Sequence, residues 1–308
     1  MITFDHVTKR YGDAGAVDDL SLTIGKGEFF VVIGPSGSGK STMLKMINRL
    51  VPLSTGSIRF NGEDIRHVKP EDLRRRMGYV IQSIGLFPHW TVARNIGTVP
   101  ELLHWPDTKI RDRVNALLSL LHLDPDSFRG KYPHQLSGGE QQRIGVARAL
   151  AAHPDILLMD EPFGALDPIT RGTLQTEIAR IHRESGTTIV FVTHDMDEAL
   201  KLATRIAILD RGHLVQLGTP QELLTAPSTD FVHDFVGRGD GAFHLLSVEP
   251  VSSRLHPGET VPGRPIVASA SLRQALSQMI AQGADRLGVV DDEGRPIGAL
   301  HIADLVRR

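Results

Sequence analysis

A glycine-rich stretch near the start of the chain, GPSGSGKS at residues 34–41, constrains the fold more than any other part of the sequence. It follows FFVVIG at residues 29–34, a continuous apolar run of the kind found in buried parallel strands. The residues after it, STMLKMINRL, place apolar side chains at helical spacing. A strand, a glycine loop and a helix in this order predict a phosphate-binding loop; the alternative is a chance glycine-rich turn.

The predicted loop offers several kinds of contact to a phosphate. Its glycines let backbone N–H groups curl around an anion, and the helix N-terminus adds partial positive charge. Lys40 can reach the β- and γ-phosphates of a nucleotide, and Ser41 can ligate Mg²⁺. The residues predicted to hold the phosphates and Mg²⁺ are Gly34, Pro35, Ser36, Gly37, Ser38, Gly39, Lys40, Ser41 and Thr42.

Two later strands end in side chains that suit the same chemistry. ILLMDEP at residues 156–162 places adjacent carboxylates at the C-terminal end of an apolar strand, where α/β sheets hold ligands. Asp160 suits a Mg²⁺ shell, and Glu161 could orient and deprotonate an attacking water, although such an end can also be merely solvated. His194 ends TTIVFVTH, a strand predicted to neighbour that of Asp160, so it can face the same phosphate.

The order of predicted elements indicates the fold class. Short strands open the chain, with a hairpin at Asn61-Gly62, and residues 91–152 are mainly helical. Strands return at residues 155–160, 187–194 and 205–210 with helical patterns between them. The sequence predicts an α/β P-loop NTPase cassette. Its parts are a mainly parallel sheet, an N-terminal antiparallel β subdomain, a helical insert and a small C-terminal α/β module.

Composition limits the other possibilities. The 308-residue chain has a net charge of about -2 and no long block of one sign, which gives no support to non-specific nucleic-acid binding. It has no cysteine, so disulfides, thiolate zinc sites and iron–sulfur clusters are excluded. None of its 14 histidines forms a pair at the spacing of a helical metal site, which argues against a histidine metal centre. The N-terminus lacks the apolar core of a signal peptide, and no apolar run approaches the roughly 20 residues of a membrane span.

Over residues 1–235 the chain resembles the ATP-binding-cassette ATPases, because the motifs of that family occur in its order. Tyr11 in VTKRYG matches the aromatic residue that usually stacks on adenine in this family. The resemblance implies ATP and Mg²⁺ as ligands. The motifs are Walker A at 34–41, the glutamine loop at Gln82 in YVIQSIGLF, LSGGEQQR at 136–143, Walker B at 156–161, Asp167 in GALD and the switch residue His194.

The family also implies a head-to-tail homodimer. Ser137, Gly138 and Gly139 open a predicted helix and would cover the γ-phosphate bound by the other subunit; the alternative is an ordinary capped helix. By the same resemblance Gln82 would link the γ-phosphate and Mg²⁺ to a moving loop. Glu161 would be the catalytic base, His194 would steady the transition state, and Asp167 would bridge the dimer interface.

The phrase IQSIGLFPHWTVARNI resembles ATPases of importers for quaternary amines such as glycine betaine, choline and carnitine. This implies integral membrane permease subunits, an indirect solute-binding protein, no nucleic-acid partner, and a peripheral location on the cytoplasmic face of the membrane. Phe87, Pro88 and Trp90 could dock on the permease or pack internally. Another small polar solute, or a soluble task outside transport, remains the alternative.

The predicted domains are a cassette at residues 1–236, a linker at 237–243 and a module at 244–308. In the module, Leu272, Leu276, Met279 and Ile280 are predicted to share one helical face. LGVVDDEGRPIGALH then predicts two strands around a turn, and the whole resembles a single cystathionine-β-synthase-type (CBS) motif. Such a module could regulate activity or pair across the homodimer, could serve only to hold the dimer together, or could be vestigial.

Overall fold

The computed structural model describes residues 1–82, 85–164, 166–237 and 241–306, and the chain divides into two compact units, residues 1–217 and 218–308. Within the described residues, no helix combines the length and apolarity that crossing a bilayer requires. The strands of the first unit are β1 (Ile2–Tyr11), β2 (Ala14–Ile24), β3 (Phe29–Ile33), β4 (Thr55–Phe60), β5 (Glu63–Asp64), β6 (Met77–Val80), β7 (Ile156–Asp160), β8 (Thr188–Val192), β9 (Arg205–Asp210) and β10 (His213–Gly218).

Between β6 and β7 the described elements are all helical, and the helix Gly138–Leu150 packs against the helices Val92–Leu102 and Asp107–Leu120. A 3₁₀ helix covers Pro133–Gln135. The α-helices are α1 (Lys40–Ile47), α2 (Pro70–Arg75), α3 (Val92–Leu102), α4 (Asp107–Leu120), α5 (Pro125–Phe128), α6 (Gly138–Leu150), α7 (Pro168–Ser185) and α8 (Met196–Leu202).

The central sheet has the strand order β10-β9-β3-β8-β7-β6, and β3, β7 and β8 are buried along their whole length. The pairs β3/β8, β3/β9, β7/β8 and β6/β7 are all parallel, which confirms the predicted mainly parallel sheet. Because parallel strands end at the same edge, the phosphate loop, Glu161 and His194 all follow strands that finish side by side. The sheet order is therefore what assembles the candidate site.

A second sheet, with the order β2-β1-β4-β5, is the predicted antiparallel subdomain. Its hairpin turns at Asn61 and Gly62, whose φ angles of 52° and 87° are both left-handed, as a tight type I′ turn requires. Buried residues alternate along the second half of β2, so one face of this sheet joins the core that includes Phe30, Leu44 and Ile156.

The second unit is smaller and has its own core, built around Leu272, Met279, Leu287 and Leu300. Its sheet has four strands, in the order His256–Pro257, Pro296–His301, Arg286–Val290 and Ile266–Val267. A 3₁₀ helix covers Val251–Arg254. Its elements are α9 (Pro220–Thr225), α10 (Asp230–Gly237), α11 (Gly241–Val248), β11 (His256–Pro257), β12 (Ile266–Val267), α12 (Leu272–Gln282), β13 (Arg286–Val290), β14 (Pro296–His301) and α13 (Ile302–Val306).

Two details of this unit bear on the predicted domain boundaries. The chain divides into its compact units after Leu217, and α9 and α10 pack against each other and against α11, whereas the cassette boundary at residue 236 stays a prediction. Of the predicted linker, residues 241–243 begin α11, and residues 238–240 lie outside the described residues. The role of residues 244–308 as a regulatory or dimerisation module stays a prediction.

The buried face of α12 is also shifted from the prediction. Leu272 and Met279 are buried and Leu276 packs against the core, but Ile280 is 70% exposed and Ala275 is buried in its place. A helix turns about 100° per residue, which puts residue 280 on the flank of the stripe centred between residues 272 and 279. Helical spacing alone cannot separate the centre of such a stripe from its edge.

Candidate active site

The phosphate loop encloses a cavity of about 230 Å³, lined by residues 36–42 together with Ala16 and Glu161. Two glycines allow the loop to lie this close to the sheet. A Cβ at Gly34 would lie 2.0 Å from the carbonyl oxygen of Leu209, and one at Gly39 would lie 2.3 Å from that of Ala16. Both distances are far shorter than any van der Waals contact, so only glycine permits this loop.

Lys40 lies in the wall of this cavity with only 6% of its surface exposed. Its Nζ donates to the carbonyl oxygens of Gly34 and Pro35, at 2.8 and 2.9 Å. Burial lowers the pKa of this ammonium, and the neighbouring Glu161 and Asp160 carboxylates oppose that shift. A desolvated cation held only by neutral carbonyls would be strongly stabilised by the negative charge of a phosphate.

Ser41 and Asp160 meet at the base of the cavity, where the Ser41 hydroxyl donates to Asp160 Oδ1 at 2.8 Å. Burial raises the pKa of Asp160, although the Ser41 hydrogen bond and nearby lysines act in the opposite direction. These hard oxygen donors suit Mg²⁺. Among the described residues, the buried Ser38 hydroxyl has no hydrogen-bond partner, as expected for a loop shaped to receive a polar ligand.

Glu161 is the point at which three predicted residues meet. Its Oε2 accepts from Gln82 Nε2 at 3.3 Å and lies 3.3 Å from His194 Nδ1. Its φ of 45° lies in the left-handed region, which is uncommon for glutamate and is held by a hydrogen bond from its N–H to the Val192 carbonyl. The structure thus brings together Gln82, Glu161 and His194 beside the phosphate cavity.

A buried polar network behind His194 is absent from the sequence analysis. Glu198 is 5% exposed, accepts from the Thr193 hydroxyl at 2.6 Å and from Gln175 Nε2 at 3.4 Å, and Lys201 Nζ donates to Gln175 at 2.9 Å. The Thr193 hydroxyl in turn accepts from the Asp195 N–H, so the residues on both sides of His194 are held. Ala199 and Leu200 are buried beside this carboxylate on α8, but no local sequence pattern signals that Glu198 itself is buried.

Ser137, Gly138 and Gly139 are not among the residues that line the phosphate cavity of their own chain. Ser137 is the N-cap of α6: its hydroxyl accepts from the Glu140 N–H at 3.3 Å, and Glu140 accepts from the Ser137 N–H at 2.7 Å. This reciprocal capping box satisfies two of the free N–H groups of the helix end. The structure therefore separates this helix end from the phosphate loop within one chain.

Asp167 and Tyr11 also lie away from the walls of the cavity. Asp167 caps α7 by accepting from the N–H groups of Ile169 and Thr170 at 3.1 and 3.0 Å, and hydrogen bonding to Thr170 lowers the pKa of its carboxyl. Tyr11 is 50% exposed at the end of β1, with Lys9 Nζ 4.7 Å from its ring centroid. It is available for stacking, and its role with adenine stays a prediction.

Comparisons with known proteins identify the family of the chain. A family model described as ABC transporter matches residues 17–164, and one described as CBS domain matches residues 265–308. The glycine betaine uptake system ATP-binding protein YehX of Escherichia coli is 55% identical over 99% of both chains. The glycine betaine/carnitine/choline transport ATP-binding protein OpuCA of Bacillus subtilis is 50% identical over 94% of this chain and 76% of that protein.

A solved structure gives the same result for the fold. The ATP-binding cassette MJ0796, in a dimeric post-hydrolysis state bound to ADP and Pi, superposes with a TM-score of 0.66 at 32% identity. The match covers 71% of this chain and 98% of that one. The resemblance found in the motifs is thus confirmed: the chain belongs to the ABC transporter family of ATP-binding proteins and carries a CBS domain at its C-terminus.

Proposed function

We propose that this protein is the ATP-hydrolysing subunit of an importer for quaternary amines of the glycine betaine, choline and carnitine type. The observation that carries the hydrolytic part is the convergence of Gln82 and His194 on the Glu161 carboxylate beside the phosphate cavity. The solute class comes from the relatives, whose names specify glycine betaine, carnitine and choline. Sulfate and thiosulfate cassettes are also similar, at 43% identity over 77% of this chain, and supply the alternative solute.

The loop residues bind the phosphates of ATP in this proposal. Lys40 exchanges its two carbonyl partners for phosphate oxygens, which its burial makes favourable. Ser41 and Asp160 are the residues that would hold Mg²⁺, with Gln82 predicted to join them. When bound, Mg²⁺ neutralises charge on the phosphates and helps to align them.

Glu161 then acts as the general base. Its side chain is 21% exposed and lines the phosphate cavity, so a water molecule can reach it. It accepts the proton of the attacking water, while His194, 3.3 Å away, orients the carboxylate and supports the charge that develops. Gln82 follows β6, on the other side of β7 from His194, and holds the same carboxylate oxygen, so it ties the base to the loop that follows β6.

The second half of each site would come from another copy of the chain. Gly138 and Gly139 begin a helix whose N-terminus is favourable for an anion but which contributes no wall to its own cavity. Beside the Asp167 cap, Ile169 is 83% exposed, so this end of α7 offers an apolar side chain that a second copy of the chain could cover. We place the ATP of one subunit against Ser137 of the other in a head-to-tail homodimer.

The membrane partner would dock on an aromatic surface made by Phe87, Pro88 and Trp90. The Phe87 and Trp90 rings lie 4.4 Å apart, and Arg94 lies over Trp90 at 4.3 Å. Buried Asn95 fixes this turn, since its side chain accepts from the Phe87 N–H and donates to the carbonyls of Phe87 and Trp90. Phe87 nevertheless stays 44% exposed. We propose that this aromatic surface binds an integral permease subunit at the cytoplasmic face of the membrane.

The catalytic assignment is tested with Glu161→Gln. This change keeps the size of the side chain and removes the base, so we expect ATP binding to persist and turnover to fall by roughly 10²–10⁴-fold. Phosphate release and equilibrium ATP binding are measured on the full-length protein with Mg²⁺. Glu101→Gln on α3 is the matched control and should keep normal turnover. Near-normal turnover in Glu161→Gln would exclude Glu161 as the base.

The transport assignment is tested with the coexpressed permease. Phe87→Ala should lose copurification with the permease, whereas Leu102→Ala, at an equally exposed apolar residue of α3, should retain it. Uptake of radiolabelled glycine betaine, choline and carnitine by cells expressing the complex identifies the solute. Uptake of sulfate without any quaternary amine would refute the proposed solute class, and a complex that forms equally well with Phe87→Ala would refute the docking surface.

A further inference from the structure

Two histidines that are far apart in sequence come together on the sheet of the second unit. His256 lies on β11 and His301 ends the antiparallel neighbour β14, where His256 pairs with Ala299. His301 is two residues beyond Ala299, so both histidine side chains belong to the same face of the sheet. Their ring centroids are 4.5 Å apart and the rings are nearly parallel, at 22°.

A glycine makes this approach possible. Gly298 pairs with Pro257, and a Cβ at Gly298 would lie 2.3 Å from the His256 carbonyl oxygen. Any other residue at this position would push β11 away from β14. The short strand that carries His256 is therefore held against the strand that carries His301 by a feature of the backbone.

Asp304 brings a carboxylate to the same place. Asp304 lies in the first turn of α13, and its Oδ2 lies 2.8 Å from His256 Nε2 and accepts from the His301 N–H at 3.3 Å. One ligand atom from each of His256, His301 and Asp304 lies within 4.8 Å of the others, and no other such group of three occurs among the described residues. His256 is exposed and the other two are half-buried, so the cluster is open to solvent.

A carboxylate and an arginine lie beside the cluster and position one of its histidines. Glu259 Oε2 lies 2.7 Å from His301 Nε2, and Arg286 donates to the other Glu259 oxygen at 3.3 Å. A histidine that ligates a metal usually donates its other ring N–H to a carboxylate or carbonyl, and Glu259 is placed to accept from His301 in this way. Arg254, the other cation beside Asp304, donates to the Asp304 carbonyl and to the carboxylate of Glu249 at 2.7 Å, so its charge is already balanced.

We propose that His256, His301 and Asp304 form a binding site for a divalent transition metal ion, with Zn²⁺ the best match. Two imidazoles and one carboxylate suit Zn²⁺, whereas Mg²⁺ and Ca²⁺ prefer oxygen ligands alone. The bound ion would join β11, β14 and α13. Helical spacing of the histidines gives no sign of this site, because the cluster is assembled across strands.

The test is Zn²⁺ binding to the full-length protein, free of affinity tag and nucleotide, with excess Mg²⁺ to occupy sites made of oxygens alone. We expect one Zn²⁺ per chain by calorimetry, a ligand-field absorption band with Co²⁺, and a higher melting temperature. His301→Gln and Asp304→Asn each remove a proposed ligand and should weaken Zn²⁺ binding by at least about 10–100-fold. That range is the usual cost of losing a residue that only supports a ligand. Glu259→Gln should weaken it by about 10-fold.

The control is His6→Gln. His6 forms an equally short pair with Asp19, at 2.7 Å, but belongs to no group of three ligands among the described residues, so its loss should leave the affinity unchanged. If His301→Gln fails to fold, exposed His256→Gln supplies the same comparison. The proposal is overturned if the native protein takes up no stoichiometric Zn²⁺, or if the folded ligand variants bind as tightly as the native protein.

Discussion

The two glycine-rich stretches of the first unit, residues 34–41 and 136–143, are both expected to meet phosphate, yet they are built differently. In the first, Gly37 and Gly39 have left-handed φ angles of 81° and 101°, and the loop encloses a cavity with buried Lys40 in its wall. In the second, Gly138 and Gly139 start an ordinary helix whose end is capped by Ser137 and Glu140. The first stretch is shaped around a cavity, whereas the second forms a capped helix end.

In the proposed dimer, the end of α6 would be complete for folding and still incomplete for function. The N–H groups that Ser137 and Glu140 satisfy stabilise α6 in the isolated chain. The remaining free donors and the helix dipole attract an anion, but this chain places no phosphate cavity beside them. A second copy of the chain would supply that phosphate.

The largest effect is expected from Gly34→Ala. The new Cβ would overlap the Leu209 carbonyl, so the loop must move; we expect a destabilisation of about 1–3 kcal/mol and loss of measurable ATP binding. Gly138→Ala is the matched change in the second stretch. Its Cβ meets no atom within 4 Å, and the change should stabilise α6 by up to about 1 kcal/mol while lowering turnover in the dimer.

Denaturant unfolding, ATP binding and phosphate release on both variants decide this comparison. If Gly138→Ala were more stable and fully active, the second stretch would be only a helix start. If Gly34→Ala bound ATP normally, the close approach of the loop to the sheet would have no functional value.

A smaller effect separates the two roles of Ser137. Ser137→Ala removes the cap and should lower stability by about 1 kcal/mol. Ser137→Asp preserves a good cap, so stability should be retained, but its charge would repel a phosphate brought by a partner and turnover should fall. Thermal unfolding and ATPase activity are measured for both. Full activity of a stable Ser137→Asp variant would contradict the shared site.

The smallest effect concerns Glu198, behind His194. Burial raises the pKa of this carboxyl above its ordinary value of 4.5, with the Thr193 hydrogen bond opposing the shift. The native state then holds the proton more tightly than the unfolded state. The contribution of Glu198 to stability therefore falls as the pH rises from its ordinary pKa of 4.5 to its raised pKa in the native state. Glu198→Gln removes the titration, so its stability relative to the native protein should increase as pH rises above about 4.5.

Unfolding free energies of both proteins between acidic and neutral pH measure this effect, with Glu101→Gln as an exposed control. A constant difference across the range would show that Glu198 is ionised as easily as a solvated carboxylate. The pH profile of ATP turnover in Glu198→Gln adds a readout of how the network positions His194.

The local features of the site were predictable from the sequence because they depend on near neighbours. FFVVIG and ILLMDEP predict buried strands because they are continuously apolar, and the glycine pattern after the first predicts the loop. Glu198 was missed because its burial depends on α7 packing over α8, which no local pattern reports. Ile280 was misplaced because the core touches only part of an apolar helical face.

The residues alone were enough to predict the phosphate loop, the buried strands around it and the family of the chain. Hydrophobic periodicity and glycine chemistry act over a few residues, so they are readable without a fold. Only the tertiary structure decided that Gln82 and His194 meet on Glu161, and that His256, His301 and Asp304 share one face. These contacts depend on strand order and register, which are fixed by packing between residues that are distant in the chain.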